Sequence, residues 1–408
     1  MKNEEFFVII SVFHNILVTT RTTTKLINKK LNLQKRKGKN MHFYIDSKEL
    51  TASVLSVIKA LPVRTSLNCL EGIYVNAASD GLHFMCSDLM LQKECIVKAD
   101  IKEEGKAIIP GKVFAEFVRK IPDGEAEITI NGSNINIQCG RLNTTLQTLV
   151  YEEFPEMIFE GNDYKIKIDK DECKEMINQT VFATAQDDSK PILTGVYLEI
   201  NKDSFTAVAT DAYQFAMRNV KIKNDSDEVH KAIIPSKAMI EISHILDEAE
   251  DEIEFAFTRT HIMVNTQKTC LTARLLDGNY IDFRRIIPSE YATRVIVNRS
   301  EMMDSIDRAH LVAREGTNNI KLKFENKRVL IHSDSHIGKF EEEIDAQSKG
   351  EEIEIAFNAK YCMNVLKSIN DEKICIDLLS SITPCVLRPL TGDKYYYLIV
   401  PVRIYTQM

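Results

Sequence analysis

The 408-residue sequence contains no tryptophan and lacks the short motifs that carry the commonest enzyme chemistries. It has no G-x-x-x-x-G-K-[ST] phosphate loop, no H-E-x-x-H or H-x-x-E-H pair and no G-x-S-x-G elbow. His332 and His336 are four residues apart, but in strand-like sequence their side chains would stand about 13 Å apart. These absences predict a protein that is not an enzyme, with no catalytic residue, no cofactor and no metal.

The sequence also lacks a C-x-x-C pair, although it contains nine cysteines. Their count is odd and they are scattered, at positions 69, 86, 95, 139, 173, 270, 362, 375 and 385. This pattern is typical of free thiols in a reducing cytoplasm rather than of a disulfide framework. We therefore expect a cytoplasmic protein.

Long hydrophobic runs are absent too, since the apolar stretch from Phe6 to Val18 is too short to span a membrane. It lies in a basic leader, residues 1–40, with nine Lys or Arg and two Asp or Glu. The charge of the leader is about +7 and the net charge of the whole chain is −7, so the remainder carries about −14. Three interpretations stay open: a targeting segment, a disordered or non-native leader before a start at Met41, or a basic arm that contacts nucleic acid.

A threefold repeat runs through the rest of the chain. The pairs Ser87-Asp88, Thr210-Asp211 and Ser333-Asp334 are each separated by 123 residues. The repetition places the three aspartates in different copies, where they cannot form one carboxylate site. We expect each to cap a turn that follows a strand.

Each copy contains two amphipathic helices and several alternating strands. The first helix of copy one is capped by Asp46 or Ser47, and the second opens at Pro110, with a stripe that includes Val113. The turn at Asn131-Gly132 predicts a hairpin. The expected fold class is α+β, in three tandem domains at residues 41–162, 163–288 and 289–408.

The sequence resembles the bacterial DNA polymerase III β subunit, the sliding clamp, over essentially all of residues 41–408. The signatures that carry the resemblance are Met41-His42-Phe43-Tyr44-Ile45, Cys139-Gly140-Arg141, Glu152-Glu153-Phe154-Pro155, Lys190-Pro191-Ile192-Leu193-Thr194-Gly195-Val196, Ala209-Thr210-Asp211, Asp282-Phe283-Arg284-Arg285-Ile286-Ile287-Pro288, Arg314-Glu315-Gly316-Thr317-Asn318-Asn319 and Tyr397-Leu398-Ile399-Val400-Pro401-Val402-Arg403-Ile404. Their order along a threefold frame makes the resemblance specific.

The resemblance implies a ring-forming head-to-tail homodimer with the DNA clamp fold, in which helices face the DNA and sheets lie outside. Such a ring encircles duplex DNA without reading its sequence and confers processivity. The dimer interface would pair the strand that contains Thr144 and Leu146 with the partner's helix around Leu311 and Val312. The family often has a bulky aromatic where Thr144 stands.

The resemblance also implies a pocket for short peptides from the replicative polymerase, the clamp loader and repair proteins. Matched position by position, its lining is Leu193, Thr210, Ala212, Tyr213, Gln214, Phe215, Ile286, Leu398 and Val400. An apolar lining suits Leu and Phe anchors, although the same residues would also serve as core. The sequence departs from the family pattern at Ala212-Tyr213-Gln214, at Ile281 and at Ser66-Leu67-Asn68-Cys69-Leu70.

For DNA, the positions that match the family are Arg64, Lys190 and Arg285, and the placement of helices and loops adds Arg119, Lys120, Arg218 and Lys237. Cations on one face of an acidic body would bind phosphate weakly and without sequence preference. Two other functions stay open at this point. They are a regulatory paralogue that binds partners without encircling DNA, and an enzyme of DNA metabolism on the same repeated domain.

Overall fold

The computed structural model describes residues 40–149, 153–161, 163–187, 189–224 and 226–403. The leader up to residue 39 and the signature residues Glu152 and Ile404 lie outside them. The chain divides into two compact units. The first ends at Met157 and the second begins at Ile158.

In the first unit a strand and a helix are followed by five strands, a second helix and a three-stranded meander. The elements are β1 Met41–Asp46, α1 Ser47–Val57, β2 Gly72–Ala78, β3 Gly81–Ser87, β4 Leu91–Val97, β5 Asp100–Glu103, β6 Gly105–Pro110, α2 Gly111–Val118, β7 Glu125–Asn131, β8 Asn134–Cys139 and β9 Leu142–Gln147. Antiparallel pairing gives one sheet in the order β5-β1-β7-β8-β9, with β9 at its edge, and another in the order β4-β3-β2-β6.

The described residues of the second unit contain the same order of elements twice, without a counterpart of β5. The first set is β10 Tyr164–Asp169, α3 Lys170–Asn178, β11 Gly195–Ile200, β12 Ser204–Thr210, β13 Gln214–Lys221, β14 His230–Pro235, α4 Ser236–Ile245, β15 Glu252–Phe257, β16 His261–Asn265 and β17 Thr269–Arg274. The second set is β18 Thr293–Asn298, α5 Arg299–Ala313, β19 Asn319–Phe324, β20 Arg328–Ser335, β21 Gly338–Lys349, β22 Ile353–Asn358, α6 Ala359–Ser368, β23 Lys373–Leu378, β24 Cys385–Arg388 and β25 Tyr395–Ile399.

One sheet of the second unit joins both sets. Its order is β14-β11-β12-β13-β25-β24-β23-β18-β21-β20-β19-β22, and the junction is the antiparallel pair β13–β25. Phe215 lies opposite Leu398, and Arg218 lies opposite Tyr395. This junction brings the middle of the chain against its end.

Four helices of the described residues, α1, α3, α5 and α6, begin where the sequence supplies a capping side chain, and α2 and α4 begin after Pro110 and Pro235. The carboxylates of Asp46 and Asp169 and the side-chain oxygens of Asn298 and Asn358 accept hydrogen bonds from first-turn amides. The two helices of each repeat pack against each other. Most residues of their apolar stripes are buried, whereas Val113 is exposed, because α2 has only two turns and presents Phe114 and Val118 to the core.

The Ser/Thr-Asp turns are confirmed in two copies and wrong in the third. Asp88 Oδ1 accepts hydrogen bonds from the amides of Met90 (2.9 Å) and Leu91 (2.7 Å), as expected of a cap. Asp334 lies inside β20, whose pairing with β21 continues to Ser335, and its carboxylate faces Lys339 at 3.4 Å. The third strand is longer, so its turn comes later.

Candidate peptide-binding and DNA-facing sites

The turn between β12 and β13 is held by its own side chains. Asp211 Oδ1 accepts hydrogen bonds from the amides of Tyr213 and Gln214, both at 2.8 Å. Thr210 Oγ1 accepts from the amide of Ala212 at 3.1 Å and donates to the carbonyl of Gln214 at 2.7 Å. Ala212 has a φ of +78°, in the left-handed region that favours glycine. The turn therefore points Tyr213 outward at the expense of backbone strain at Ala212.

An apolar cluster lies beside this turn on the joined sheet. Its buried members are Tyr197, Val208, Phe215, Met217, Ile233, Phe283, Val386 and Leu398. Tyr280 stacks on Tyr197 with ring centroids 5.0 Å apart, and Ile192, Leu276 and Ile287 pack against the cluster. The segment that follows β17 therefore covers part of the sheet where the second and third repeats meet.

The predicted pocket residues divide into a buried and an open set. Leu193, Thr210, Gln214, Phe215 and Leu398 are buried. Ala212 is exposed, and the open apolar side chains are Tyr213 (60% exposed), Ile286 (39%) and Val400 (37%). The amide of Val400 donates to the carbonyl of Tyr213 at 2.9 Å, so two of the open residues are adjacent. Ile286 lies one turn beyond Phe283, whose carbonyl accepts from its amide.

Sequence reasoning missed the contribution of α6 to this region. Tyr361 stacks on Tyr213, with ring centroids 6.2 Å apart and planes 9° apart. Asn364 Nδ2 donates to Gln214 Oε1 at 3.4 Å. These residues are about 150 positions from the turn, and no local pattern distinguishes them from other residues of an amphipathic helix.

Arg218 corrects the expectation that it contacts DNA. Its side chain is 1% exposed, and Nη2 donates to Glu172 Oε2 at 2.7 Å and Glu175 Oε2 at 2.8 Å. Nη1 also donates to the carbonyl of Lys394 at 3.3 Å. The alternation of β13 points this side chain under α3, so the guanidinium is inside the protein.

The other predicted DNA contacts are exposed cations: Arg64, Arg119, Lys120, Lys190, Lys237 and Arg285. Arg119 and Lys120 follow the end of α2, and Lys237 lies in the first turn of α4. Arg285 reaches Asp282 Oδ2 at 2.9 Å through Nε. That pair is solvent-exposed, so it holds the guanidinium only weakly.

The predicted interface residues occupy unpartnered positions in their own units. Thr144 and Leu146 lie half-buried on β9, the edge strand, opposite Ile137 and Ile135. Leu311 on α5 is 53% exposed, and Val312 is half-buried. An edge strand and an exposed leucine are both features that an interface would cover.

Comparison with known proteins places the chain in a family along most of its length. The models of the DNA polymerase III beta subunit N-terminal, central and C-terminal domains match residues 41–158, 167–282 and 284–403. A Beta sliding clamp from Bacillus subtilis (strain 168) is 33% identical over 379 residues, which are 90% of this chain and 100% of that protein. A Beta sliding clamp from Halalkalibacterium halodurans is 32% identical with the same coverage.

Solved structures agree with these relatives. The crystal structure of the DNA polymerase sliding clamp from Bacillus subtilis has a TM-score of 0.85 and 33% identity, and covers 90% of this chain and 100% of that one. A putative DNA polymerase III beta subunit from Eubacterium rectale has a TM-score of 0.84 and 29% identity, and covers 89% and 100%.

The fold and the candidate sites together define the class of protein, a chain of repeated two-helix, antiparallel-sheet units of the DNA clamp type. The chain belongs to the DNA polymerase III beta subunit family. Its function is that of a DNA sliding clamp, and a regulatory paralogue is not favoured. In the part of the chain that the structure describes, no helix is long and apolar enough to cross a membrane.

Proposed function

We propose that two copies of the chain close head to tail into a ring that encircles duplex DNA. The support is the pair of unpartnered features described above, the edge strand β9 with Thr144 and Leu146 and the exposed face of α5 with Leu311 and Val312. A head-to-tail contact uses two different surfaces of one chain, and it closes if each chain spans half a turn. The ring holds DNA by topology, so its direct contacts with DNA need only be weak.

The DNA-facing surface, in this proposal, includes Arg64, Arg119, Lys120, Lys190, Lys237 and Arg285. Contacts from exposed cations to phosphates position the duplex without reading bases, which suits a protein that slides. Removing one cation that neutralises a phosphate lowers the steepness of log affinity against log salt by about 0.9. Arg64→Gln together with Lys190→Gln removes four cations from the two-chain ring and should therefore reduce the slope by up to about 3.6, whereas Arg328→Gln, at an ion-paired position outside this set, should leave it unchanged.

The proposed ring is tested by retention on DNA. After loading by a clamp loader, the protein should stay on a nicked circle through a salt wash and leave when the circle is cut once. Equal retention on the circle and on linear DNA with free ends would contradict encirclement.

We further propose that partners such as the replicative polymerase, the clamp loader and repair proteins dock a short peptide on the turn of β12–β13. The observation that carries this proposal is the juxtaposition of open Tyr213, Ile286 and Val400 with the buried Phe215 and Leu398. Apolar anchors of a peptide would bury the open side chains against a wall that is already packed.

The pocket is tested with a labelled peptide that carries Leu and Phe anchors. Tyr213→Ala should weaken binding by about 1–2 kcal/mol, typical of an interface aromatic. The matched control is Tyr291→Ala, since Tyr291 is also an exposed tyrosine of the same unit. Equal losses in both variants, or none in Tyr213→Ala, would place the peptide elsewhere.

A further inference from the structure

A cavity of about 580 Å³ opens beside the apolar cluster and shares side chains with it. Tyr197, Tyr280 and Phe283 belong to both, so the cavity has a common wall with the cluster that contains Phe215 and Leu398 of the proposed peptide site. Gly278 lines the cavity and lies close to Ile192. A Cβ atom added at Gly278 would stand 3.0 Å from Ile192 Cγ2. A peptide that occupies the site therefore has a neighbouring space into which its flank can continue.

The base of this cavity has little free charge. Glu199 is buried, and it accepts hydrogen bonds from the guanidinium of Arg284 and from Tyr197 Oη at 3.0 Å. Burial by itself raises the pKa of Glu199, but these hydrogen bonds outweigh burial and hold the pKa below its usual value. The carboxylate is thus ionised and already neutralised by Arg284.

The rim of the cavity carries excess positive charge. Arg259, Arg274 and Lys231 line it and are exposed. Within the described residues no carboxylate pairs with the guanidinium of Arg259 or Arg274, and Lys231 Nζ lies 4.0 Å from the already neutralised Glu199. The lining carboxylates other than Glu199 are Asp277 on the rim and Asp282, which is paired with Arg285.

We propose that this cationic cavity receives acidic side chains that flank the apolar anchors of a partner peptide. The inference rests on the proposed peptide function and specifies the chemistry of the partner. Two guanidiniums with unused donors are suited to carboxylates, which they bind in a planar, bidentate geometry. The body outside the leader carries about −14, so an acidic segment would be repelled over most of the surface and steered to this rim.

The test compares three labelled peptides by fluorescence anisotropy on the full chain. All carry the same Leu and Phe anchors; one has glutamine flanks, one has glutamates at its amino end and one has glutamates at its carboxyl end. We expect one of the acidic peptides to bind about three- to tenfold more tightly at low salt, and this gain to shrink as salt screens the charges.

Matched variants locate the gain. Arg259→Gln with Arg274→Gln should abolish it while leaving the glutamine-flanked peptide unchanged. Lys98→Gln with Lys327→Gln removes the same charge from exposed residues outside the cavity lining and should preserve it. No gain for either acidic peptide, or a gain that survives the arginine variant, would overturn the cavity assignment alone. Failure of all three peptides to bind would overturn the peptide site as well.

Discussion

Arg218→Met removes the buried cation that links the second and third repeats and should destabilise the second unit. The guanidinium binds Glu172 and Glu175, and Glu175 also accepts hydrogen bonds from Lys394 Nζ and Asn370 Nδ2, both at 3.0 Å. Methionine fills a similar volume but leaves these carboxylates without their shared partner. The repeats would remain joined by β13–β25 and by the contacts of Glu175 with Lys394 and Asn370, and they would lose the hydrogen bond from Arg218 Nη1 to the carbonyl of Lys394.

The expected cost can be bounded from the exposure of the partners. Breaking a fully buried ion pair typically costs about 3–5 kcal/mol. The side chains of Glu172 and Glu175 are 43% and 22% exposed, and Glu175 keeps Lys394, so water and a second cation offset part of the loss. We therefore expect about 2–3 kcal/mol, or roughly 4–12 °C in melting temperature for a cooperative unit of this size.

The matched control is Arg328→Met, because Arg328 also binds two glutamates, Glu325 and Glu343, each at 2.7 Å. Its side chain is exposed, so its pairs should contribute at most about 1 kcal/mol. Scanning calorimetry at one protein concentration measures both variants. Adding Glu172→Gln and Glu175→Gln to Arg218→Met should restore much of the loss, since no unpaired carboxylate then remains.

The pH dependence of the difference in stability between wild type and Arg218→Met gives a second check. Burial by itself raises the pKa of Glu175, but the hydrogen bond from Lys394 and the charge of Arg218 outweigh it, so the pKa lies below its ordinary value of 4.5. A lowered folded pKa contributes stability above the ordinary value and loses it as pH falls through the folded pKa. The gap between wild type and Arg218→Met should thus narrow below about pH 4.5. Equal melting shifts for the Arg218 and Arg328 variants at pH 7 would refute the reasoning.

Three further predictions concern the turn and the interface. Ala212→Gly should stabilise by roughly 0.5–1 kcal/mol in thermal melts because it relieves a positive φ, whereas Ala209→Gly, in a strand, should destabilise. Leu311→Asp should shift the monomer–dimer equilibrium toward monomer, as measured by sedimentation equilibrium, without changing the melting temperature of the second unit. Ile382→Asp, at another exposed apolar residue, should leave the monomer–dimer equilibrium unchanged. Thr144→Phe should shift the monomer–dimer equilibrium toward dimer by adding apolar area that the interface buries. An unchanged equilibrium would contradict the placement of β9 in the proposed interface.

The Ser/Thr-Asp turns show which structural features a few adjacent residues can predict. A Ser/Thr-Asp pair satisfies its own amides wherever the strand ends beside it, so the caps at Asp88 and Asp211 were predictable from a few residues. The same pair fails at Asp334 because β20 and β21 continue to pair past it. Strand length is decided by the partner strand, which a local motif does not contain. β25 likewise ends at Ile399, where its pairing with β13 ends.

The sequence by itself determined the threefold repeat, the helix starts and the family, because caps, apolar periodicity and ordered signatures depend on residues close together in the chain. Only the tertiary structure decided that Arg218 is a buried link rather than a DNA contact, since Glu172, Glu175 and Lys394 converge on it from distant elements. It likewise decided which of the predicted pocket residues are exposed and that Tyr361 stacks on Tyr213. Exposure and charge pairing depend on contacts between residues far apart in sequence, and those exist only once the sheets of the second and third repeats have joined.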